Sequence, residues 1–391
     1  MTTKVLVLNP YMPTLGGGEK HMGYLCKYIE DYYNDVQIDI LVHNYNNVDI
    51  HASDYITIED VKRRFDLTLT KTSLLKIDLK HPNSLKEHFY NKKKIEDISA
   101  RYDLFINFMY QSKHIGKAKK NIYSCMFPAK KYAFKEWPKR LAGMVLDYKY
   151  KQSYDCFMTN SSFTNHWQQY IWKTGKRNKI VYPPVFSEET LKSRKWGDKK
   201  NIILSVGRFF VGAHNKKQNE LVDIFIRNAE KFPGWEFHLA GALSNYEDDL
   251  KYVEIIQNKI KGYPIYLHLN TPFSKLEELY YSAKIFWHAT GYQEQDNLFP
   301  EKMEHFGITT VEAMSYGVIP VVINKGGQPE IVQEGKSGFL WDSEEECIRK
   351  TLNLVNNDDY RQSLTEQTFE RSKKFSIEEF YSRTREVLDG L

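Results

Sequence analysis

Short apolar runs alternate with longer stretches of mixed polar and apolar residues along most of the chain. In the first half, the runs that we interpret as strands are residues 5–8, 38–42, 104–108, 122–126, 156–159 and 180–182. In the second half, they are residues 202–206, 236–240, 265–269, 285–289, 319–323 and 338–341. The helical stretches between them include residues 18–33, 221–231, 274–282 and 344–356. This alternation predicts parallel sheets with helices on both faces.

Ser274 and Glu277 indicate where one of these helices starts. A Ser followed three residues later by a Glu is typical of a capping box, in which each side chain bonds to a free backbone N–H of the first turn. We therefore expect the helix of residues 274–282 to begin at this Ser.

The segment Tyr182-Pro183-Pro184-Val185-Phe186 is the predicted boundary between two domains. Proline cannot donate to a strand ladder and interrupts a helix, so two consecutive prolines favour a hinge. We predict an N-terminal domain of residues 1–183, a C-terminal domain of residues 184–370, and a terminal helix in residues 371–391 that packs back toward the N-terminal domain. In doubly wound sheets, ligands bind at the carboxyl ends of strands, which here predicts a site in the cleft between the domains.

Length and composition agree with two globular domains. A chain of 391 residues exceeds what one hydrophobic core usually supports. Its 41% apolar and 27% charged residues are typical of a globular rather than a disordered protein. No apolar run reaches the ~18–20 residues that a membrane span needs, and the first run is too short for a signal peptide. The four cysteines form no C-x-x-C pair, which favours reduced thiols in a cytoplasmic protein over disulfides or zinc.

Basic and aromatic residues are concentrated in residues 113–151. Eleven Lys and Arg residues lie there with only Glu136 and Asp147 as acidic residues, although the whole chain has a net charge of +5. Seven aromatic residues lie among them. This composition suits an anionic membrane surface, and it equally suits a solvated surface whose aromatic rings turn into the core. A nucleic-acid groove is less favoured, because no binding motif accompanies the charge.

Glu304 and Glu312 lie on either side of a predicted helix start at Gly307-Ile308-Thr309. A helix N-terminus presents free N–H groups that attract phosphate. Acidic side chains beside it would repel that phosphate unless they reach past it to hydroxyl groups. The arrangement predicts a ligand that carries both phosphate and sugar. The alternatives are a dipole-complementing role for Glu312 and a solvated loop around Glu304.

Arg208 and Lys216 follow the first strand of the second domain. Together they could neutralise a diphosphate without a metal ion, although each taken alone is more often a plain surface residue. In the first domain, Gly16 and Gly17 follow the first strand and open a helix. Such glycines either let the backbone approach a phosphate or form a tight turn without a ligand.

Three further glycines lie near the acidic pair. Gly317 occupies the position expected for the C-terminal cap of the Glu312 helix. Gly326 and Gly327 precede Pro329, which suits the first position of a helix. We interpret Gly326 and Gly327 as a wall of the sugar pocket; the alternative is a simple turn from strand to helix.

Over nearly its full length, the chain resembles the retaining glycosyltransferases of family 4. The likeness is strongest from the run Trp287-His288-Ala289-Thr290-Gly291, through the E-x7-E run from Glu304 to Glu312, to the Gly-Gly-Gln-Pro-Glu run that starts at Gly326. The Val-Gly-Arg run that ends at Arg208, with Lys216 after it, adds support. The Gly-Gly-Gly-Glu loop that starts at Gly16 adds support. The resemblance implies an α/β protein with the GT-B architecture, in which two Rossmann-like doubly wound parallel-sheet domains face each other across a cleft.

The resemblance also implies roles for individual residues. Arg208 and Lys216 would hold the diphosphate and Glu304 would contact hydroxyl groups of the donor sugar, so these three are the expected catalytic residues. Glu312 would bind the ribose hydroxyls. The other expected donor-binding residues are Gly16 and Gly17 at the β-phosphate, and the backbone of Phe306, Gly307, Ile308 and Thr309 at the sugar and phosphate.

Two details of the resemblance concern single positions. Lys216 is preferred over Lys217, because it keeps the family's spacing to Leu221 and Phe225. Many members carry a His in a His-x-Pro stretch after a first-domain strand, whereas the corresponding stretch here, which ends at Pro128, contains no His. The residue that orients the acceptor is therefore not identified, and the leaving phosphate is expected to take the acceptor proton.

The predicted activity is a retaining, metal-independent transfer of a hexose from a UDP- or GDP-sugar to a saccharide or lipid-linked acceptor. We expect a role in cell-surface polysaccharide, lipopolysaccharide or glycolipid synthesis, with no cofactor, no metal and no nucleic acid. The expected location is cytoplasmic, peripheral to a membrane. One rival is a catalytically silent GT-B protein that binds sugar or acts as a scaffold. The other, an NAD-dependent oxidoreductase, is disfavoured because G-x-G-x-x-G is missing.

Overall fold

A computed structural model describes residues 2–9, 16–45, 57–80, 83–189, 199–212 and 214–391 of the chain. The contacts divide the chain into two compact units. The first unit comprises Met1–Pro184 together with Ile377–Leu391, and the second unit comprises Val185–Ser376. The predicted boundary after residue 183 thus differs by one residue from the observed division after Pro184.

In the described part of the first unit, seven parallel strands form one sheet. The strands are β1 (Thr3–Leu8), β2 (Val36–Tyr45), β3 (Thr72–Leu79), β4 (Leu104–Asn107), β5 (Lys120–Cys125), β6 (Cys156–Thr159) and β7 (Asn178–Ile180). The helices are α1 (Gly17–Tyr32), α2 (Ile58–Phe65), α3 (Leu85–Ser99), α4 (Trp137–Gln152) and α5 (Ser162–Trp172). The strand order β3-β2-β1-β4-β5-β6-β7 is that of a doubly wound sheet.

Strand β1 shows why this sheet is covered on both faces. Val5, Leu6, Val7 and Leu8 are all fully buried, and successive side chains in a strand point to opposite faces. The two valines pack into one apolar cluster, which includes residues of α1, and the two leucines pack into a second cluster. The continuous apolar run therefore reflects two cores, one on each face, as is usual for a parallel sheet.

In the described part of the second unit, six parallel strands form a second sheet. The strands are β8 (Ile202–Val206), β9 (Glu236–Gly241), β10 (Ile265–Leu269), β11 (Ile285–His288), β12 (Ile319–Ile323) and β13 (Phe339–Trp341). The helices are α6 (Gln218–Arg227), α7 (Glu247–Lys259), α8 (Phe273–Ser282), α9 (Ile308–Ser315), α10 (Gln328–Ile331), α11 (Glu344–Val355) and α12 (Asp358–Ser372). The order β10-β9-β8-β11-β12-β13 repeats the doubly wound pattern.

One strand was not predicted, and another is shifted along the chain. Strand β3 was not predicted, because it lies at an edge of the first sheet and its half-exposed residues lack an apolar run. The strand predicted at residues 180–182 is instead β7, Asn178–Ile180. Its ladder with β6 ends as the chain approaches Pro183 and Pro184, which cannot donate to a neighbouring strand.

The capping box predicted at Ser274 and Glu277 is wrong. Helix α8 begins one residue earlier, at Phe273, and Pro272 occupies the N-cap position without a side-chain hydrogen bond. Ser274 therefore lies inside the first turn, where its hydroxyl cannot act as the cap. Pro329 likewise lies in the first turn of α10, but at its second residue rather than its first.

The last helix, α13 (Ile377–Asp389), belongs to the first unit. Its Phe380 ring packs edge-to-face on His21 at 5.2 Å, and its Tyr381 lies 4.9 Å from the Tyr28 ring, both on α1. The prediction started the returning segment at residue 371. The structure starts it at Ile377, because α12 continues to Ser372 within the second unit.

Candidate functional site

The candidate site lies where the strand order of the second sheet reverses, between β8 and β11. These two strands pair in parallel, so their carboxyl ends emerge side by side at one edge. Arg208 and Lys216 lie in the segment that follows β8, and His288 is the last residue of β11. Glu304 follows in the connection between β11 and α9. The topology therefore brings a pair of cations and a carboxylate to one edge.

Glu304 is the centre of a compact polar cluster. Its Oε2 accepts a hydrogen bond from the Lys216 ammonium at 2.5 Å and lies 3.0 Å from Nε2 of His288. The hydroxyl of Thr290 lies 3.1 Å from the same ring nitrogen. The Lys216 and Glu304 side chains are 20% and 16% exposed, so solvent screens their attraction only in part.

The ionisation of this cluster follows from its surroundings. Burial alone would raise the pKa of Glu304, but the Lys216 ammonium and the hydrogen bond with His288 outweigh it and hold the pKa well below its ordinary value. Burial lowers the pKa of His288, although the neighbouring Glu304 opposes this shift. At neutral pH the imidazole is uncharged, and its contact with the carboxylate requires the proton on Nε2.

The backbone of Glu304 is held by the glycine turn after β12. Gly327 donates its N–H to the Glu304 carbonyl at 2.7 Å. Gly326 has a φ of 62°, and a Cβ built on it would lie 2.2 Å from the same carbonyl oxygen. Only glycine allows this approach. Gly326 and Gly327, predicted as a pocket wall, thus position the loop that carries Glu304; contact with a sugar stays a prediction.

Helix α9 presents its amino end next to this loop. Gly307 is its N-cap residue, so the N–H groups of Ile308 and Thr309 lie in the first turn, where a helix offers no internal acceptor. Phe306 is 3% exposed, and its ring packs edge-to-face on Phe375 at 5.5 Å. Its side chain therefore points into the unit, which leaves its backbone as the part that could meet a ligand.

Glu312 lies on the second turn of α9 and makes a separate contact. Its Oε2 accepts a hydrogen bond from the Tyr280 hydroxyl at 3.1 Å. Burial and the nearby Glu312 raise the pKa of Tyr280 well above its ordinary value, so the hydroxyl remains a donor. The two glutamates of the E-x7-E spacing are therefore fixed by different partners, Glu304 by Lys216 and His288, and Glu312 by Tyr280.

Arg208 remains at the surface beside the cluster. Its side chain is exposed, and its guanidinium lies 5.8 Å from the centre of the Phe210 ring. Its carbonyl accepts a hydrogen bond at 3.0 Å from the amide of the buried Gln218, which also bonds the carbonyl of Gly207. Gln218 thus anchors the backbone of this loop while the charged end of Arg208 stays accessible.

The neighbouring Lys217 belongs to a different ion cluster. Its ammonium lies 3.3 Å from both Glu220 and Glu294, and Glu294 also pairs with Lys302 at 2.9 Å. Lys216 and Lys217 therefore point to different carboxylates, and Lys216 is the one that meets Glu304.

The structure brings some of the predicted residues together and leaves others apart. Glu304 contacts Lys216 through its carboxylate, and Gly326 and Gly327 through its backbone carbonyl. Gly16 and Gly17 belong to the first unit, where Gly16 is the N-cap of α1 and donates its N–H to Glu19 at 2.9 Å. The roles assigned to all of these residues stay predictions.

His288, Tyr280 and Gln218 were not among the residues predicted to form the site. His288 could have been found, because it lies at the carboxyl end of the strand predicted at residues 285–289, and such strand ends form sites in doubly wound sheets. Tyr280 and Gln218 lie on helices, and no local pattern indicates that their side chains turn toward Glu312 and the Arg208 loop.

The described residues also bear on a membrane span and on a metal site. None of the helices in the described ranges combines the length and apolar character that a membrane span requires. Within the same ranges, no three His, Cys, Asp or Glu side chains gather where they could share a metal ion.

The second unit, which contains the candidate site, is similar to known glycosyltransferases. Residues 186–371 match the family model described as glycosyl transferases group 1, which covers nearly all of the second unit. The GDP-Man:Man(3)GlcNAc(2)-PP-Dol alpha-1,2-mannosyltransferase of Xenopus laevis is 30% identical over 200 residues, which cover 48% of this chain and 39% of that protein. The human protein of the same name is 28% identical over 240 residues, which cover 58% of this chain and 46% of that protein. The chain therefore spans less than half the length of either relative.

The whole chain also aligns with solved structures. Anabaena HepE, crystallised with UDP and glucose, superposes with a TM-score of 0.67 over 100% of both chains, at 15% sequence identity. An identity this low shows the fold alone, and it confirms the prediction of two parallel-sheet α/β domains of the GT-B type. The chain thus has the GT-B fold, and the group 1 match in its second unit supports a glycosyltransferase.

Proposed function

We propose that the protein is a retaining glycosyltransferase that moves a hexose from a UDP- or GDP-sugar to a saccharide or lipid-linked acceptor. The observation that carries this proposal is the Lys216–Glu304–His288 cluster at the carboxyl ends of β8 and β11. It combines a fixed cation with a carboxylate that stays ionised, at the position where doubly wound sheets bind nucleotides.

The cations and the carboxylates of the site would bind different parts of the donor. An ammonium has three donor hydrogens, so Lys216 could bind a phosphate oxygen while it keeps its contact with Glu304. The exposed guanidinium of Arg208 would add a second cation for the diphosphate. The Glu304 carboxylate, an acceptor only, would receive hydrogen bonds from sugar hydroxyls. Glu312 would similarly receive the ribose hydroxyls, and the first turn of α9 would face a phosphate.

In the proposed step, the bond between the anomeric carbon and the β-phosphate oxygen breaks. A bond from the acceptor hydroxyl oxygen to that carbon forms on the same face, and the hydroxyl proton passes to the leaving phosphate. Negative charge grows on the diphosphate as its bond to the sugar breaks. Fixed cations such as Lys216 and Arg208 therefore stabilise the transition state more than the ground state, without a metal ion.

The acceptor class rests on the relatives. Several of them are named as mannosyltransferases that act on dolichol-linked saccharides. By extension, we propose a saccharide on a lipid carrier as the acceptor here, used at the cytoplasmic face of a membrane in the synthesis of a cell-surface polysaccharide or glycolipid. The curated relatives suggest a GDP-sugar, and the HepE complex with UDP suggests a UDP-sugar.

The first test is a panel of UDP- and GDP-sugars, measured by thermal stabilisation. A ligand that binds only the native protein raises its melting temperature, by an amount set by its concentration relative to Kd. We expect one nucleotide class to stabilise the wild-type protein, and sugar transfer or slow donor hydrolysis with that donor. No stabilisation by any member of the panel would contradict the proposal.

Lys216→Met then tests the site, with Lys217→Met as the matched control. The two lysines are adjacent, but only Lys216 meets Glu304, whereas Lys217 meets Glu220 and Glu294. Loss of a cation that stabilises the transition state should lower kcat/KM by about 100-fold or more. Lys217→Met should retain most of the activity. Equal activity of the two variants would remove the proposed role of Lys216.

A further inference from the structure

Helix α4 exposes a row of large apolar side chains. Trp137, Leu141, Met144, Val145 and Tyr148 are 73%, 51%, 61%, 46% and 64% exposed. Monomeric proteins rarely leave so many large apolar side chains uncovered on one element, and a contiguous patch of this kind usually marks an interaction surface. We name these five residues the α4 stripe.

The spacing of the α4 stripe places its residues on one face. With about 100° of rotation per residue, positions that are four, seven, eight and eleven residues after Trp137 fall on the same side of a helix. The opposite side holds Gly143, Asp147 and Tyr150, which are buried. Gly143 lies close against Tyr132, since a Cβ built on it would be 2.9 Å from the Tyr132 Cβ. The helix is therefore firmly seated, and its outer face is the apolar one.

Not every basic or aromatic residue of the 113–151 region belongs to this surface. Tyr123, Phe127 and Tyr150 are buried. Lys113 lies 3.0 Å from the centre of the Tyr132 ring and 3.4 Å from Asp147. The two interpretations of this region, aromatic rings turned into the core and a surface for an anionic membrane, thus apply to different residues. Some rings fill the core, while the α4 stripe faces outward.

The charges around the α4 stripe are almost all positive. Arg140 and Lys149 are exposed and lie on either side of the stripe around the helix, and Lys135 is exposed just before it. The helix and its N-cap contain two carboxylates. Asp147 is buried with Lys113, and Glu136 pairs with Lys139 at 2.6 Å. No unpaired carboxylate of α4 therefore opposes the approach of an anionic surface.

We propose that the α4 stripe docks this protein onto the surface of an anionic lipid bilayer. An amphipathic helix with apolar residues on one face and cations beside them lies in the plane of the interface, with the apolar face at the boundary between headgroups and acyl chains. Trp137 and Tyr148, near the two ends of α4, suit the interface because each combines an apolar ring with a polar group. Arg140 and Lys149 would contact anionic headgroups.

Charge selects the bilayer over a protein partner. A docking site for an apolar protein partner would need no charged residues beside it. The α4 stripe instead has cations on both sides of the helix, which favours an anionic surface that extends on both sides. The proposal deepens the proposed function, which places the acceptor at a membrane face, by naming the surface that would meet the bilayer; docking itself requires neither a donor nor an acceptor. It would hold for a protein without transferase activity.

Sedimentation with vesicles tests the proposal. Wild-type protein is mixed with vesicles of phosphatidylcholine alone or with one third phosphatidylglycerol, and the bound fraction is measured. We expect binding to the anionic vesicles at least tenfold tighter than to the neutral ones, and weaker binding at high salt because the Debye length shortens. Equal binding to both vesicles, or no binding, would overturn the proposal.

Two double variants separate the apolar and the charged contributions. Trp137→Ser with Met144→Ser should lower binding to anionic vesicles at least tenfold, and Arg140→Glu with Lys149→Glu should abolish the preference for them. All four side chains are exposed, so the melting temperature should stay near the wild-type value. Binding that survives both double variants would overturn the proposal.

The matched control removes exposed apolar residues from another helix start. Tyr246 and Leu250, the N-cap residue and a residue of α7, are 76% and 46% exposed. Tyr246→Ser with Leu250→Ser should leave vesicle binding unchanged. Analytical ultracentrifugation without lipid tests a second copy as the occupant. A dimer that dissociates in the Trp137→Ser, Met144→Ser variant would assign the surface to self-association instead and reject the membrane.

Discussion

At the scale of single residues, Glu304 illustrates how the surroundings decide the chemistry of a side chain. Burial by itself favours the protonated acid, but Lys216 and His288 reverse the balance and lower its pKa. A carboxylate that is ionised and largely enclosed has strong electrostatic interactions, because little water screens them. This is the state that a group needs if it is to accept hydrogen bonds from sugar hydroxyls.

His288 is predicted to act as a positioning residue for Glu304. His288→Phe removes a hydrogen bond to the carboxylate, so the pKa of Glu304 should rise and activity should be lost at a higher pH than in the wild type. The measurement is the acid limb of kcat/KM against pH, with the donor identified by the nucleotide-sugar panel. His288→Asn, which keeps an N–H donor, should restore part of the wild-type profile.

Tyr280→Phe is the control for this prediction. It removes a donor from Glu312 rather than from Glu304, so it should raise KM for the donor and leave the acid limb in place. If His288→Phe has the same acid limb as the wild type, His288 does not act on the ionisation of Glu304.

At the scale of elements, two backbone hydrogen bonds cap helix α9 at its carboxyl end. Tyr316 is the C-cap residue, and Gly317 follows with a φ of 63°. Gly317 donates its N–H to Met314 at 2.9 Å, and Val318 donates to Ala313 at 3.0 Å. These two bonds form a Schellman motif, which satisfies carbonyls that a helix end leaves free. The same helix carries Glu312 and presents its amino end beside Glu304.

Gly317→Ala should destabilise the protein by about 1 kcal/mol, because an L side chain is unfavourable at this left-handed φ. Asparagine tolerates the same conformation better, so Gly317→Asn should cost less. Urea unfolding followed by tryptophan fluorescence measures both variants. Equal losses in the two variants, or none in either, would show that backbone conformation at this residue does not limit stability.

At the scale of the whole molecule, buried histidines in both units make the stability of the folded protein depend on pH. Burial lowers the pKa of His21 in the first unit, from 6.5 to about 3. Burial is also the first cause of the lowered pKa of His238 and His288 in the second unit. The unfolded chain binds protons at these residues near pH 6.5, whereas the folded protein does not. Their contribution to stability is therefore complete above pH 6.5 and is lost as the pH falls toward the folded pKa.

His21→Leu should reduce this pH dependence. From its pKa shift, His21 should make the folded protein about 2 kcal/mol less stable at pH 5 than at pH 7. Its ring packs between Phe108 and Phe380, and its Nε2 has no hydrogen-bond partner. Leucine should therefore suit the site. The measurement is the free energy of unfolding at the two pH values, with the exposed His166→Gln as control. An unchanged pH dependence in His21→Leu would contradict the prediction.

Periodicity was enough to predict most of the sheet architecture. Strands β6, β8 and β12 have their predicted bounds, because buried parallel strands are continuous apolar runs between polar segments. Edge strand β10 also has its predicted bounds, although most of it is not buried. Edge strand β3 was missed, because Lys76 and Asp78 interrupt its apolar residues and leave no continuous run. The predicted start of α8 was wrong because a local Ser and Glu pattern does not reveal that the helix begins at Phe273, with Pro272 at the N-cap position.

The amino-acid sequence alone determined the features that depend on neighbouring residues. These are the strands, the turn at Gly317 and the presence of Glu304, Lys216 and Arg208 in polar loops. Folding decided what those residues do. Lys216 and Glu304 meet across 88 positions of the chain, and the depressed pKa of the carboxyl exists only because both are enclosed beside His288. Likewise, the α4 stripe is apolar by composition, but only packing on the opposite face left it exposed. Burial and long-range charge are properties of the packed chain, and no local pattern contains them.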